Sequence, residues 1–299
     1  MDQPQSDEIE IAVFGPGYGE SIVIHIGNGK WIIVDSCLDD GSDLPAPLRY
    51  LWSLNVNVAK DVVLVVATHW HDDHIRGISG VFNACESSDF VISSALSSEE
   101  FLNVIRAEKP PIESTGVSEF TKIIDILHAR KQRRVQWATP KHAIVDRLLL
   151  SREIQYESQI TKVKIYSLSP SDAAVMQAKL AFAQALSGQQ ARPKRIAAVA
   201  PNHTSVVLWV EIGPHRILLG ADLEVTSNPQ TGWSVILSDS TLSMVKRISL
   251  KYPIMAQKMR IALMYGQISY PKSHLLRSRL LAGVEKPCRL QTTSFEYQI

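Results

Sequence analysis

Asp61-Val62-Val63-Leu64-Val65-Val66-Ala67-Thr68-His69-Trp70-His71-Asp72-Asp73-His74 is the stretch that decides how this chain folds. From Asp61 to Ala67 it is a short run of apolar, mostly β-branched residues, which reads as a buried strand. Three imidazoles and two carboxylates then fall within the six residues His69 to His74. Ile75 to Phe82 reads as a glycine-bearing turn into a short helix. The cluster therefore sits on a strand-to-helix loop, where backbone curvature aims several side chains at one point. Neutral imidazole nitrogen and carboxylate oxygen are the usual zinc ligands. The spacing H-x-H-x-D-H suits two ions: His69 and His71 hold one, Asp73 and His74 the other. A solvated polar loop is the plain alternative, and it gives the histidines no reason to gather.

The hexapeptide resembles the signature motif of the metallo-β-lactamase-fold hydrolases. The resemblance implies an α/β fold, a four-layer αββα sandwich with two sheets face to face and helices outside. It maps that family's metal ligands onto His69, His71, Asp73 and His74, with Trp70 and Asp72 at variable positions. Asp35 ends the strand Lys30 to Val34; the resemblance makes it the first motif, a carboxylate beneath the site that orients the metal loop through hydrogen bonds. The alternative is a strand-end turn. Further on, Asn202 to Ser205, a strand, a hairpin, a second strand and Gly220-Ala221-Asp222 resemble the competence DNA-uptake branch of the superfamily and its relatives. There Asp222 maps onto the carboxylate that bridges two metals. His203 keeps two readings, a third-motif ligand or a loop histidine beside Asn202, and the branch often lacks a histidine there.

Outward from this centre, Glu8 to Phe14 alternates as a strand. Gly15-Pro16-Gly17-Tyr18-Gly19-Glu20 looks superficially like a dinucleotide loop, but the strand Ser21 to Ile26 follows where that fingerprint needs a helix. The loop is read as a hairpin turn, and the resemblance puts Tyr18 or Glu20 beside substrate. Asn28-Gly29 signals a tight hairpin. Pro47 to Leu54 and Val117 to Ala129 read as helices, Asp89 to Ile92 as a strand, and Ser97 or Ser98 as the cap of a helix running through Ile105. An insertion at about 106–150 carries His128, Arg130, Lys131, Arg133, Arg134, Lys141, His142 and Arg147. Such a run is commonly a solvated face; the functional alternative is a patch that contacts phosphates. His142 is a weak candidate for a stray ligand. Lys162 to Leu168 reads as a strand, and Ser169 to Leu186 as a helix with an apolar core stripe.

Composition bounds the rest. The 299 residues carry 31 Lys and Arg against 30 Asp and Glu, a formal net charge of +1, which excludes a general polyelectrolyte. The N-terminus is polar and acidic rather than signal-like, and no apolar run reaches membrane-spanning length. Three scattered cysteines, Cys37, Cys85 and Cys288, fit a reducing compartment without a disulfide framework. The expectation is a cytoplasmic protein without a membrane partner. Its oligomeric state is not legible.

One metallo-β-lactamase-like domain is expected over 1–240. The tail, 241–299, departs from the resemblance. The family would next supply a strand and a late histidine, commonly within H-H-G-S, and the chain has no such motif. Joining the third base of each codon to the first two of the next permits S-H-H-G-S-E-N-A-H from Tyr252 through Ile261. From Glu285 the same frame permits E-T-L-P-T-T-D-D-I-V-R-I. A frameshift near Thr241 to Met244 accounts for both, and the tail should then fail to complete the second sheet.

The leading functional expectation is a hydrolase with two zinc ions, manganese or iron being the other candidates. Water activated by the metals attacks phosphorus or a carbonyl carbon. His69, His71 and Asp73 form the catalytic set, and phosphodiesters or nucleic acid are the substrate class. The rivals are a non-catalytic metal-binding or interaction protein on the same fold, and a lactam, ester or thioester hydrolase.

Overall fold

The computed structural model describes residues 2–15, 19–39, 42–107, 115–133, 138–156, 159–187, 201–239, 261–265, 276–282 and 292–294. The chain opens with β1 (Ile9–Gly15), β2 (Ser21–His25) and β3 (Trp31–Val34), consecutive antiparallel neighbours. Asn28 and Gly29 both take positive φ, 47° and 65°. Both central residues of a tight hairpin need that conformation. Helices α1 (Ala46–Ser53) and α2 (Val58–Asp61) lead into β4 (Val62–Ala67), which is buried at every position. Then come α3 (Asp72–Ile75), α4 (Ile78–Ala84), β5 (Asp89–Ser93), α5 (Glu99–Ala107), α6 (Thr115–Gln132) and β6 (Lys141–Ala143). Strands β3 to β6 run parallel. Covered on both faces, such strands need not alternate polar and apolar residues, which is why β4 reads as a continuous apolar run.

The second sheet is built from β7 (Arg147–Tyr156), β8 (Gln159–Ser167), β9 (Leu208–Ile212) and β10 (His215–Leu219), all antiparallel, with α7 (Asp172–Ser187) between β8 and β9. Helix α8 (Trp233–Asp239) follows β10. The strand β7 takes up the C-terminal part of the basic insertion, where charge had masked the β pattern.

The tail departs from expectation. Strand β11 (Ile261–Tyr265) pairs antiparallel with β10 and extends the second sheet. Strand β12 (Leu276–Ala282) runs parallel to β1, and β13 (Thr292–Ser294) pairs with β12. Strand pairing is satisfied by main-chain groups, so a tail without the family motif still adds a strand to the second sheet. The resulting orders are β13-β12-β1-β2-β3-β4-β5-β6 and β11-β10-β9-β8-β7.

Three apolar layers hold these sheets. Ile9, Ile11, Ile22, Ile24, Ile32 and Val34 of the first sheet meet Val163, Ile165, Leu208, Val210, Ile217 and Leu219 of the second. On the first sheet's other face, Val23, Trp31, Ile33 and Val65 pack with helical residues such as Leu51, Phe82, Phe101 and Phe120. Beyond the second sheet, Trp209 and Leu218 pack on Trp233 and Ile236 of α8. Alternate residues along β2 and β3 feed opposite layers, and the outcome is the expected αββα sandwich. Among the described residues no helix is long and apolar enough to cross a membrane.

Candidate metal centre

The site forms where β3, β4 and β10 end. At the end of β3, Asp35 N–H donates to Val66 O (2.8 Å), extending the β3–β4 ladder by one residue. Asp35 then turns into the left-handed region, φ 59°. For a residue with a Cβ this costs on the order of 1 kcal/mol or more. The surroundings hold it there. Asp35 Oδ1 accepts from Thr68 N–H and Oδ2 from Thr68 Oγ1, each at 2.7 Å. Ser21 Oγ donates to Asp35 O at 2.9 Å. Asp35 Oδ2 also accepts from His74 Nδ1 at 2.8 Å. The carboxylate is buried beneath the loop and grips both its ends, Thr68 and His74.

From Thr68 the chain passes through His69, Trp70 and His71 into the single turn of α3. His71 O accepts from the N–H groups of His74 and Ile75. Gly77 (φ 78°) separates α3 from α4; a Cβ there would lie 2.9 Å from both Leu38 Cδ2 and Pro45 Cγ. Gly19 is equally constrained, since its Cβ would fall 2.4 Å from Cys37 Cβ. That close approach lets Glu20 N–H reach Asp73 O at 2.7 Å, so the first loop does border the site. Tyr18 lies outside the described residues. The main chain of Trp70 is approached by Gly116 at the start of α6, and its indole packs edge-on against Phe101 and Phe182.

The second sheet contributes Asp222. Val206 N–H donates to Thr68 O (3.0 Å), tying the entry to β9 to the metal loop. After β10, Ala221 adopts φ 44°, and Asp222 comes to lie across from His74.

Two groups of three donors result. One is His69, His71 and Asp222; the other is Asp73, His74 and Asp222. Within each, one donor atom per residue lies within 4.8 Å of the others, and Asp222 belongs to both. Asp35, His69 and His74 also meet this spacing, but Asp35 is committed to the loop that it supports. His74 Nε2 is 3.5 Å from Asp222 Oδ1 and 3.9 Å from Asp73 Oδ2. Because Nδ1 is used on Asp35, Nε2 is the nitrogen turned to the site. Burial by itself would pull the His74 pKa down; Asp222 and Asp35 outweigh it and push it up to about 10. Without a cation His74 is therefore an imidazolium held between carboxylates, and a bound cation would replace its Nε2 proton. His69 and His74 are fully buried, whereas the Asp73 side chain is 39% exposed. The centre is closed below and open on the Asp73 side. Imidazole nitrogens with carboxylate oxygens, shared through one carboxylate, are a donor set that fits a pair of zinc-like divalent ions.

His203 joins none of these groups; its Nε2 is 3.4 Å from Glu224 Oε2 on the surface. Nor does His142, which lies in β6 and whose pKa is lowered by burial and by Arg147. The basic insertion is divided. Arg130 is only 4% exposed, stacks 3.8 Å over the Phe82 ring and donates to Phe82 O (2.6 Å) and Cys85 O (3.1 Å). It is a structural clamp, which corrects both readings of it, the solvated face and the phosphate-contacting patch. Lys141 pairs with Asp89 at 2.7 Å, while Lys131 and Arg133 are exposed. Arg134 lies outside the described residues. Sequence reasoning missed Thr68 and Ser21. The threonine directly before His69 was the available signal.

Residues 14–95 match the metallo-beta-lactamase superfamily model. No curated protein matches the chain. Among solved structures, the chain is similar to the hydrolase AbOPH in the beta lactamase superfamily, at 13% identity and TM-score 0.30. That match covers 50% of this chain and 52% of the other, so the chain spans about half of that relative's length. It is also similar to MEM-A1, a subclass B3 metallo-beta-lactamase isolated from a soil metagenome library, at 13% identity and TM-score 0.32. Here the match covers 83% of this chain and 74% of the other. The stretch similar to the metallo-beta-lactamase superfamily model, residues 14–95, holds Asp35 and the whole of His69 to His74.

Proposed function

We propose that this protein is a metal-dependent hydrolase, with one ion held by His69, His71 and Asp222 and a second by Asp73, His74 and Asp222. The observation that carries the reading is the Asp222 carboxylate shared by two three-donor groups. Zinc is favoured by donor type. Bound there, the ions supply Lewis acidity and activate water near neutral pH. The chain's own residues do the rest. Asp35 holds the loop, the buried His69 and His74 keep one side of the centre closed, and the exposure of Asp73 leaves an approach for substrate. We place the substrate among phosphodiesters, nucleic acid included. The support is the resemblance of Asn202 to Asp222 to the competence branch, with the exposed cations Lys131 and Arg133 in weak agreement. The expected compartment is the cytoplasm.

Zinc content measured together with turnover of bis-p-nitrophenyl phosphate tests this. Bound zinc with turnover that vanishes in Asp222→Ala supports the hydrolase; bound zinc without turnover on phosphodiester, lactam or thioester substrates supports the rival, a non-catalytic metal-binding protein. The rival is favoured by the missing H-H-G-S motif. For the tail we keep the frameshift reading, whose support is the shifted-frame codon pattern. The nucleotide sequence across codons 238 to 260 decides it: a shifted frame that meets an early stop, or encodes no histidine pair near positions 253 to 255, removes the idea.

A further inference from the structure

We infer that Thr68 is a positioning residue that sets the tautomer of His69, and so the availability of its Nε2 to a cation. The inference rests on the metal centre proposed above. Thr68 is buried, 1% exposed, at the end of β4. Its Oγ1 lies 2.7 Å from Asp35 Oδ2 and 2.9 Å from His69 Nδ1. A carboxylate offers acceptors only, and a hydroxyl has a single proton. The Thr68 proton must therefore go to Asp35, and Thr68 Oγ1 must accept from His69. His69 then carries its proton on Nδ1, leaving the Nε2 lone pair for a ligand bond. His74 is oriented by the same carboxylate directly, its Nδ1–H donating to Asp35 Oδ2 at 2.8 Å. One buried carboxylate thus orients a histidine of each three-donor group, and Thr68 extends its reach to the first. Thr68 N–H on Asp35 Oδ1 is a main-chain bond that Thr68→Val and Thr68→Ser both keep, so the hydroxyl's role can be removed by itself.

The test uses full-length protein, with zinc alone as the probe. Long-range proton–nitrogen correlation spectra of metal-free wild type should show His69 protonated on Nδ1; protonation on Nε2 overturns the inference without any variant. Thr68→Val should lower affinity for the first zinc about 10- to 100-fold and let the His69 tautomer mix. Thr68→Ser, which keeps the hydroxyl, should stay within about threefold of wild type. A Thr68→Val protein with unchanged zinc affinity and an unchanged tautomer overturns the inference. A Thr68→Val protein that does not fold leaves wild type and Thr68→Ser to decide it through the His69 tautomer. Wild type that binds no zinc defeats the metal-centre reading instead, and the metal-free spectra still decide the role of Thr68.

Discussion

Arg130 and His74 are both buried, ionisable side chains in hydrogen-bonded settings, and they face opposite kinds of partner. Arg130, near the end of α6, donates to carbonyls at the C-terminal end of α4, while Glu119 near the start of α6 accepts from Ser79 N–H at the N-terminal end of α4 (2.9 Å). The two charges satisfy opposite ends of the α4 dipole and its otherwise orphaned main-chain groups. Every partner is local and fixed, so the clamp holds a helix. At the metal loop, one nitrogen of His74 is spent on Asp35 while the other is turned toward Asp222 and Asp73. Burial alone does not distinguish a structural charge from a candidate ligand. What separates them is whether the polar atoms end on main-chain groups or converge on one space.

The sharpest way to break the comparison is at the open side of the metal centre. His71→Ala with Asp73→Ala removes one donor from each three-donor group. Bound zinc, measured by elemental analysis of the purified protein, should fall to background, while the urea unfolding free energy of the metal-free protein changes by less than about 0.5 kcal/mol. Retained zinc would sink the ligand assignment.

Arg130→Met should show the reverse pattern. It strands buried carbonyls and removes the stack on Phe82, costing about 3 kcal/mol in urea unfolding. Zinc bound per folded molecule should stay unchanged. Loss of zinc at full stability would make the clamp part of the site.

His25 sharpens the comparison through pH. Its Nδ1 faces Glu8 O at 2.7 Å, and its Nε2 accepts from Gly29 N–H at 3.1 Å, so only the neutral ring serves both. Burial lowers its pKa from 6.5 to about 4. The folded pKa lies below the unfolded one, so the unfolded state binds more protons as pH falls. The His25 contribution is complete above about pH 6.5 and is lost toward pH 4, about 2 kcal/mol having gone by pH 5. His74 in metal-free protein has the opposite sign and a separate window. Its raised folded pKa gives stability that is complete below 6.5 and is lost as pH rises through about 10. Urea unfolding across pH, with His25→Asn as the control, should show the acid-side slope flatten in the variant.

The smallest effect belongs to the exposed remainder of the insertion. Lys131→Ala with Arg133→Ala should change stability by less than about 0.5 kcal/mol. If these side chains contact phosphates, the same pair should also flatten the salt dependence of nucleic-acid binding.

Much of the centre was legible because its donors lie close together in the chain. His69, His71, Asp73 and His74 span one loop, and the apolar run before them announced the strand that presents them. Strand β7 and helix α8 were not legible, since charge concealed the first and the second carries a weak signal over about two turns. The tail taught the same point from the other side: β11 and β12 pair through main-chain groups, which residue identity only weakly reports.

By itself, the order of residues determined which groups could act, because imidazoles and carboxylates at that spacing on a strand-end loop have few other uses. It also determined the turn at Asn28-Gly29 and the buried character of β4, since local conformation and period act within a few residues. Only the tertiary structure decided that Asp222, far along the chain and on the other sheet, completes both three-donor groups. Only it took Arg130 out of the basic patch, set His203 against Glu224, and placed Thr68 between Asp35 and His69. The reason is physical: a hydrogen bond or a ligand set depends on distances of a few ångströms between atoms brought together by the packing of two sheets, and one strand's sequence carries no record of the other's position.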